Sequence, residues 1–369
     1  MRSPILQATE IDYNEGSQGI IQPDMKPTAL RLARRNGAMA QIAIFRALQL
    51  GDLLCAVPAW RALRAAFPSA WISLIGLPWA RQFVSRFHHY LDEFIEFPGY
   101  PGLPERRVAT EAIPAFLREM QTRRFDVVLQ MQGSGHYANE LTALFGAQQS
   151  AGFFVPGEWC PDPDTFTPYP DALPEVHRHL HLMAFLGVPS LGDDMEWPVT
   201  PQDEGSFMRL EQAALLTRGQ YVCIHPGGRG ASRRWAPEYF ACIADMMAAR
   251  GFQVVVTGTQ EEAHLAEEMA RAMRTNALSM VGRTDLGTLG VLLRHAKMLI
   301  ANDTGVSHVA AGLRLPSVII CTDSDPVRWG PLDRQRHRVL LGTDASLESV
   351  IREIDDILAG EWVKNEVSV

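Results

Sequence analysis

Lys297-Met-Leu-Ile-Ala-Asn-Asp-Thr-Gly-Val-Ser-His-Val-Ala-Ala-Gly312 is the stretch whose reading decides the fold. Residues 298–301 form a short, wholly apolar run, the pattern of a strand buried on both faces of a parallel sheet. Asp303-Thr304-Gly305 then predicts a sharp turn, and Ser307, His308, Ala310 and Ala311 open a helix able to lie close to the sheet. A strand, a small-residue turn and a helix start leave free backbone N–H groups at the positive end of a helix dipole, an arrangement that favours an anion. The bland alternative is an ordinary strand-to-helix turn with Asp303 as its cap. The rest of the chain has to decide between them.

At 369 residues the chain exceeds one ordinary core and suits two domains. Its 47% hydrophobic and 21% charged content is that of a globular protein, and a net charge of −8 argues against a nucleic-acid partner, which would need a basic face. No apolar run is long enough to span a bilayer, and residues 1–37 lack an apolar signal core. Five cysteines with no C-x-x-C pair point away from a disulfide framework or zinc site and towards the reducing cytoplasm.

Outward from the opening stretch, strands alternate with helices in both halves. The first half predicts strands at Gln41–Phe45, 71–77 and 125–130, with helices from about 53 to 67 and from 109 to 121. Pro58 is expected to kink or restart the first helix. Asp52 stands where an N-cap belongs, yet also at the carboxyl end of a first strand, where open α/β sheets hold their ligands. The proline-loaded residues 156–174 read as irregular loop. Glu175–Phe185 is a helix whose His177 and His181 share a face, although with no evident carboxylate or cysteine partner they and His179 read as surface or interdomain histidines rather than a metal site. Residues 187–201 look like the domain connection. The second half predicts strands at Tyr221–His225, 253–257, 278–281 and Ser317–Cys321, and a final helix capped by Ser346 with one apolar stripe. Two doubly wound, mainly parallel sheets follow.

Neither half carries a dinucleotide fingerprint or a Walker loop, which disfavours a dehydrogenase. Instead the second half gathers anion-friendly groups at strand ends: Gly227-Gly228, the guanidinium groups of Arg229, Arg233 and Arg234, and the helix start at Thr304-Gly305. That set suits a diphosphate, and Glu262 on another exit turn suits a ribose. Thr284, on the turn after 278–281, is placed on the same donor side. The first half offers Asp52 with Gly51 beside it, and the polar turn at Gln132, as the acceptor side. A diphosphate in one domain facing a base in the other is the geometry of sugar transfer from a nucleotide donor.

Three blocks then carry a family resemblance: IAIFRALQLGDLLCAVPAWRALRAAF (residues 42–67), HPGGRGASRRW (225–235) and DTGVSHVAAGL (303–313). In order and spacing they resemble glycosyltransferase family 9, the heptosyltransferases of lipopolysaccharide core assembly, over roughly residues 40–335. The resemblance implies the GT-B architecture, two Rossmann-like domains facing across a cleft with a C-terminal helix crossing back. The division would be an N-terminal extension (1–37, read as flexible), an acceptor domain (38–198), a nucleotide-sugar domain (199–345) and a crossover helix with its tail (346–369). It also implies roles: Asp52 as general base, Arg233 on the donor phosphates, Gly227, Thr304 and Gly305 in the phosphate turns, Glu262 on the ribose, and Asp303 and His308 flanking the donor sugar and phosphates. Arg233 departs from the lysine common in the family but keeps its charge.

The expected activity is inverting transfer of a sugar, a heptose from an ADP-linked donor, onto a lipopolysaccharide-core or related glycan acceptor, with no metal and no further cofactor. The expected partners are that donor and a glycolipid or glycan acceptor, in the cytoplasm at the inner face of the membrane. The basic cluster Arg31, Arg34 and Arg35 is a candidate peripheral membrane contact, with a solvated face as the plainer reading. Rival readings are a nucleotide-sugar epimerase of the same architecture and a non-catalytic nucleotide-sugar-binding relative.

Overall fold

A computed structural model of the protein describes Leu30 and residues 39–360. The first domain is built from β1 (Gln41–Phe45), α1 (Leu50–Ala66), β2 (Trp71–Gly76), α2 (Ala80–Arg86), β3 (Glu93–Glu96), α3 (Ile113–Arg123), β4 (Val127–Gln130), α4 (Ala138–Ala143), β5 (Gln149–Phe154), β6 (Phe166–Pro168) and α5 (Glu175–Phe185). The second holds α6 (Pro201–Met208), β7 (Tyr221–His225), α7 (Pro237–Ala249), β8 (Gln253–Val256), α8 (Ala263–Ala272), β9 (Leu278–Ser279) and α9 (Leu286–His295). It continues through β10 (Leu299–Asn302), α10 (Gly305–Gly312), β11 (Ser317–Cys321), α11 (Pro326–Trp329), β12 (His337–Leu341) and α12 (Leu347–Leu358).

Both sheets are parallel and six-stranded, in the orders β3-β2-β1-β4-β5-β6 and β12-β11-β10-β7-β8-β9. Counted within its own domain, each reads 3-2-1-4-5-6, the doubly wound order in which ligands sit where the winding reverses. The reversal falls between β1 and β4 in one sheet and between β7 and β10 in the other. The central strands β1, β4, β7 and β10 are buried nearly throughout, as a sheet covered on both faces requires. One apolar cluster runs from Ile42, Leu53 and Trp60 of the first domain to Val306, Val309 and Ala310 of the second, so α1 and α10 pack across the cleft. This is the GT-B architecture.

Several expectations need correction. Helix α1 runs unbroken through Pro58, and its N-cap is Gln49, with Asp52 three residues further in. Residues 156–174 are not wholly irregular, because β6 adds an edge strand at Phe166–Pro168. Of the histidines read as surface or interdomain, His177 pairs with Asp193 at the protein exterior, while His179 is buried beside Glu175, which Arg328 reaches from the second domain. Over its described length α12, the expected crossover helix, packs on the second domain: Val350, Ile354 and Ile357 bury into that domain's core, and Asp355 and Glu353 pair with its Arg250 and Arg338. Residues 361–369 lie outside the described part. So does most of the N-terminal extension, including Arg31, Arg34 and Arg35. Leu30 is an exception to a flexible arm, since it is buried and its N–H donates to Leu186 O at 3.1 Å.

Candidate functional site

Strand β1 ends at Phe45, and the chain turns through Arg46–Gln49 into α1. Asp52 closes this turn on itself, its Oδ2 accepting from Gln49 N at 3.2 Å. Arg46, entirely buried, grips the same turn from below: Nε and Nη2 donate to the Asp52 main-chain oxygen at 2.9 and 2.7 Å, and Nη1 donates to Met131 O. Burial pushes the Asp52 carboxyl above its ordinary range, partly opposed by the Arg46 charge; Glu175 pushes it further up and His308 pulls it down. The result is a half-buried carboxylate with a raised proton affinity, held on a rigid turn.

Across the cleft, the loop after β7 is shaped by Asn302 at the end of β10. Its Nδ2 donates to Pro226 O at 2.9 Å and Gly227 O at 3.1 Å, and its Oδ1 accepts from Trp235 N at 2.9 Å. A Cβ at Gly227 would overlap the Glu262 carboxylate, so any larger residue there would displace Glu262 from its present position. Glu262 in turn accepts from Thr259 N at 2.8 Å and lies 3.8 Å from His225 Nε2. Arg233 Nη2 reaches Asp303 Oδ2 at 3.3 Å, whereas Arg234 turns back to donate from Nε to Gly228 O at 2.7 Å. Arg233 Nε and Asp303 Oδ1 are buried with no partner. One is a donor suited to a phosphate oxygen and the other an acceptor suited to a hydroxyl, and unpartnered buried groups of this kind are what a bound ligand satisfies.

The two faces meet at the starts of α1 and α10. A Cβ on Gly51 would stand 2.6 Å from His308 Cδ2, and one on Gly305 would stand 3.2 Å from Leu50 Cβ. At Gly51 a side chain would have to displace the His308 ring, and at Gly305 it would press on Leu50. Gly51→Ala is therefore expected to destabilise the protein by about 1–3 kcal/mol through overpacking, read as a lower midpoint in chemical denaturation. An unchanged midpoint would mean that the His308 ring moves aside at no cost. The ring also lies 3.7 Å from Cys55 Sγ. Burial lowers the proton affinity of His308, while Asp303 and Asp52 work against that.

Of the residues picked from the sequence, Gly227, Gly228, Arg233, Glu262, Asp303, Thr304, Gly305 and His308 are gathered on one face with Asp52 and Gly51 opposite. Gly228 lies beside Thr304, with a built Cβ 3.5 Å from Thr304 Cγ2. Arg229 is exposed at the cleft rim. Thr284 precedes the Asp285 cap of α9, and no hydrogen bond among the described residues joins it to the cluster. Gln132 is buried with its amide on Ala47, accepting from N at 2.6 Å, so it braces the β1–α1 turn. No group of three His, Cys, Asp or Glu among the described residues is placed to hold a metal.

Two features escaped the sequence. Glu105 stands close enough to the cleft that Arg229 and Asp52 both act on its proton affinity, which burial raises, and its Oε2 has no partner. Behind Asp52, Glu175 is buried among Arg46 (3.1 Å), Arg178 (3.2 Å), Arg328 (3.0 Å) and His179 (3.4 Å). Burial alone would raise its carboxyl; His179, Arg46 and Arg328 hold it far below the usual range. Burial and the Arg46 charge bring His179 itself down to about 4.

Comparison with known proteins agrees with this fold. The sequence profile of glycosyltransferase family 9 (heptosyltransferase) matches residues 113–354. The chain is 26% identical to lipopolysaccharide heptosyltransferase 2 of Escherichia coli K12, over 80% of this chain and 86% of that protein. Among solved structures, a family 9 glycosyltransferase from Veillonella parvula superposes with a TM-score of 0.73 at 19% identity, covering 87% of this chain and 97% of the other. The ADP-heptose lipopolysaccharide heptosyltransferase II of E. coli superposes with a TM-score of 0.70 at 21% identity, covering 87% and 99%.

Proposed function

The chain belongs to glycosyltransferase family 9, and from that premise we propose that it transfers a heptose from an ADP-linked donor to a lipopolysaccharide-core or related glycan acceptor. The observation that carries the reading is the pairing across the cleft: a carboxylate of raised proton affinity on one domain, and an unpartnered arginine donor beside a helix start on the other. Asp52 takes the proton of an acceptor hydroxyl as that oxygen attacks the anomeric carbon, from the face opposite the nucleotide. The carbon–oxygen bond to the diphosphate breaks in the same displacement, so the configuration inverts through an oxocarbenium-like transition state. Negative charge accumulates on the leaving diphosphate, where Arg233 and the α10 N-terminus lie. These groups do the electrostatic work without a divalent metal. Glu262 holds the ribose, and Asp303 and His308 flank the sugar.

The ADP assignment draws support from the E. coli heptosyltransferase II that shares the fold and is named for ADP-heptose. The lipopolysaccharide acceptor draws it from the E. coli K12 relative. Such an acceptor places the reaction at the cytoplasmic face of the membrane, where the enzyme works as a peripheral protein. No helix among the described residues is long and apolar enough to cross a bilayer.

ADP at about a hundred times its Kd is expected to raise the melting temperature by on the order of 5 °C, with UDP much weaker in a thermal-shift screen. The opposite ranking moves the protein to another donor class. Transfer from ADP-heptose to a heptose-deficient core acceptor, followed by mass spectrometry, tests the reaction itself.

A further inference from the structure

The buried Glu175 carries more positive charge than one carboxylate needs. Arg46 and Arg178, both from the first domain, already pair with it at 3.1 and 3.2 Å. Two cations on a carboxylate that is 2% exposed would meet the requirement that a buried charge be paired and hydrogen-bonded. A third guanidinium nevertheless arrives from the other domain. Arg328 donates from Nε to Glu175 Oε2 at 3.0 Å and from Nη2 to the Tyr169 hydroxyl at 3.0 Å.

Arg328 is prepared for that crossing by its own segment. Asp325 caps α11, its Oδ1 accepting from Val327 N at 2.9 Å and Arg328 N at 3.3 Å. The guanidinium carbon lies 4.5 Å from the Trp329 ring centroid. The partners are equally fixed: Arg178 Nη1 also donates to the Tyr169 hydroxyl, and its guanidinium stacks 4.8 Å from that ring. A bonded path therefore runs from α11 through Arg328, Glu175 and Arg46 to the main-chain oxygen of Asp52. Among the described residues Arg328 is the one member of this path that belongs to the second domain.

We propose that Arg328 is a positioning residue that clasps the two domains together and, through Glu175 and Arg46, fixes the turn carrying Asp52 only when the cleft is closed. Arg328 touches no reacting atom in this scheme. With Arg328 withdrawn, the Glu175 Oε2 is left to Arg178 alone, and Glu175 and Arg46 lose the contact that ties their orientation to the second domain. The turn carrying Asp52 then keeps its packing against α10 at Leu50 and Gly51 but loses its hydrogen-bonded link to the second domain. The clasp couples closure to base geometry, so that a proton acceptor aligned for attack is assembled when donor and acceptor face each other. The inference rests on the assignment of Asp52 as the base, but the clasp itself is a statement about domain closure and is measured separately.

The test compares wild type, Arg328→Ala and Arg328→Lys by small-angle X-ray scattering, without nucleotide and with saturating ADP, and by steady-state transfer kinetics. Arg328 is partly exposed, so the alanine variant is expected to fold, with its circular dichroism and melting curve as the control. Its radius of gyration should exceed that of wild type in both states. Its kcat should fall on the order of ten- to a hundredfold, the cost of a small misplacement of reacting groups, while its Kd for ADP changes less than about threefold. Arg328→Lys should recover closure in part, since lysine reaches one of the two partners but does not fork to both. Equal radii for wild type and Arg328→Ala in both states overturn the clasp whatever the rates do. Loss of ADP affinity in step with kcat also overturns it, by making Arg328 a donor contact. If the wild-type protein transfers no sugar, the functional reading fails while the scattering comparison still decides the clasp.

Discussion

Asp52→Asn is expected to fold as wild type does and to lose transfer activity by on the order of a hundredfold to ten-thousandfold, the usual contribution of a positioned general base. The amide oxygen can accept from Gln49 N as the carboxylate oxygen does, and the Arg46 bonds go to the Asp52 main chain, which the substitution does not alter. The melting temperature should therefore move little while kcat collapses. The pH profile offers an independent check. Burial raises the Asp52 carboxyl above its ordinary value, and the base acts only when deprotonated. Activity should be full above that raised value and decline as pH falls through it, so the acid limb should lie above the roughly 4 of an unperturbed aspartate. Wild-type turnover in the asparagine variant would leave Asp52 as a structural residue of the helix start and no more.

How much of this was legible in the sequence follows from which interactions are local. The β10–turn–α10 unit could be read because an apolar run and a small-residue turn declare themselves within sixteen residues, and the glycine loop at 227–228 did so in the same way. Asn302 stood inside the opening stretch and was passed over, because its role depends on two carbonyls and an N–H some seventy residues away. Glu175 and Arg178 were read only as helix residues, and His179 as a surface or interdomain histidine. Nothing in their neighbourhood announces burial, which depends on Arg46 and Arg328 from distant segments. The edge strands β3, β6 and β12 were missed for a different reason, and so was β5, which is paired on both sides but has only its middle residues buried behind a polar start. An edge strand pairs on one side and keeps a partly exposed face, so it shows no continuous apolar run. For α12 the amphipathic stripe was plain, but a stripe does not name its partner. It packs on α7 and β11 rather than on the first domain.

The loop after β7 poses the other large effect, because two adjacent arginines compete for one role. Arg233 leaves Nε buried and unpartnered beside Asp303 and the start of α10, while Arg234 spends its Nε on Gly228 O within its own loop. Arg233→Ala should accordingly weaken ADP binding by roughly tenfold, the loss of a hydrogen bond to a charged group. Transfer should slow by on the order of a hundredfold to a thousandfold, because charge on the diphosphate grows towards the transition state and is stabilised more there than in the bound donor. Arg233→Lys should recover much of the rate, keeping the charge while losing the fork. Arg234→Ala should chiefly loosen the glycine loop and cost far less in kcat. Transfer rates for the four Ala and Lys variants, each with and without EDTA, separate the possibilities. A silent Arg233→Ala beside a dead Arg234→Ala would exchange the two roles, and loss of wild-type activity in EDTA would hand to a metal ion the charge stabilisation assigned to Arg233.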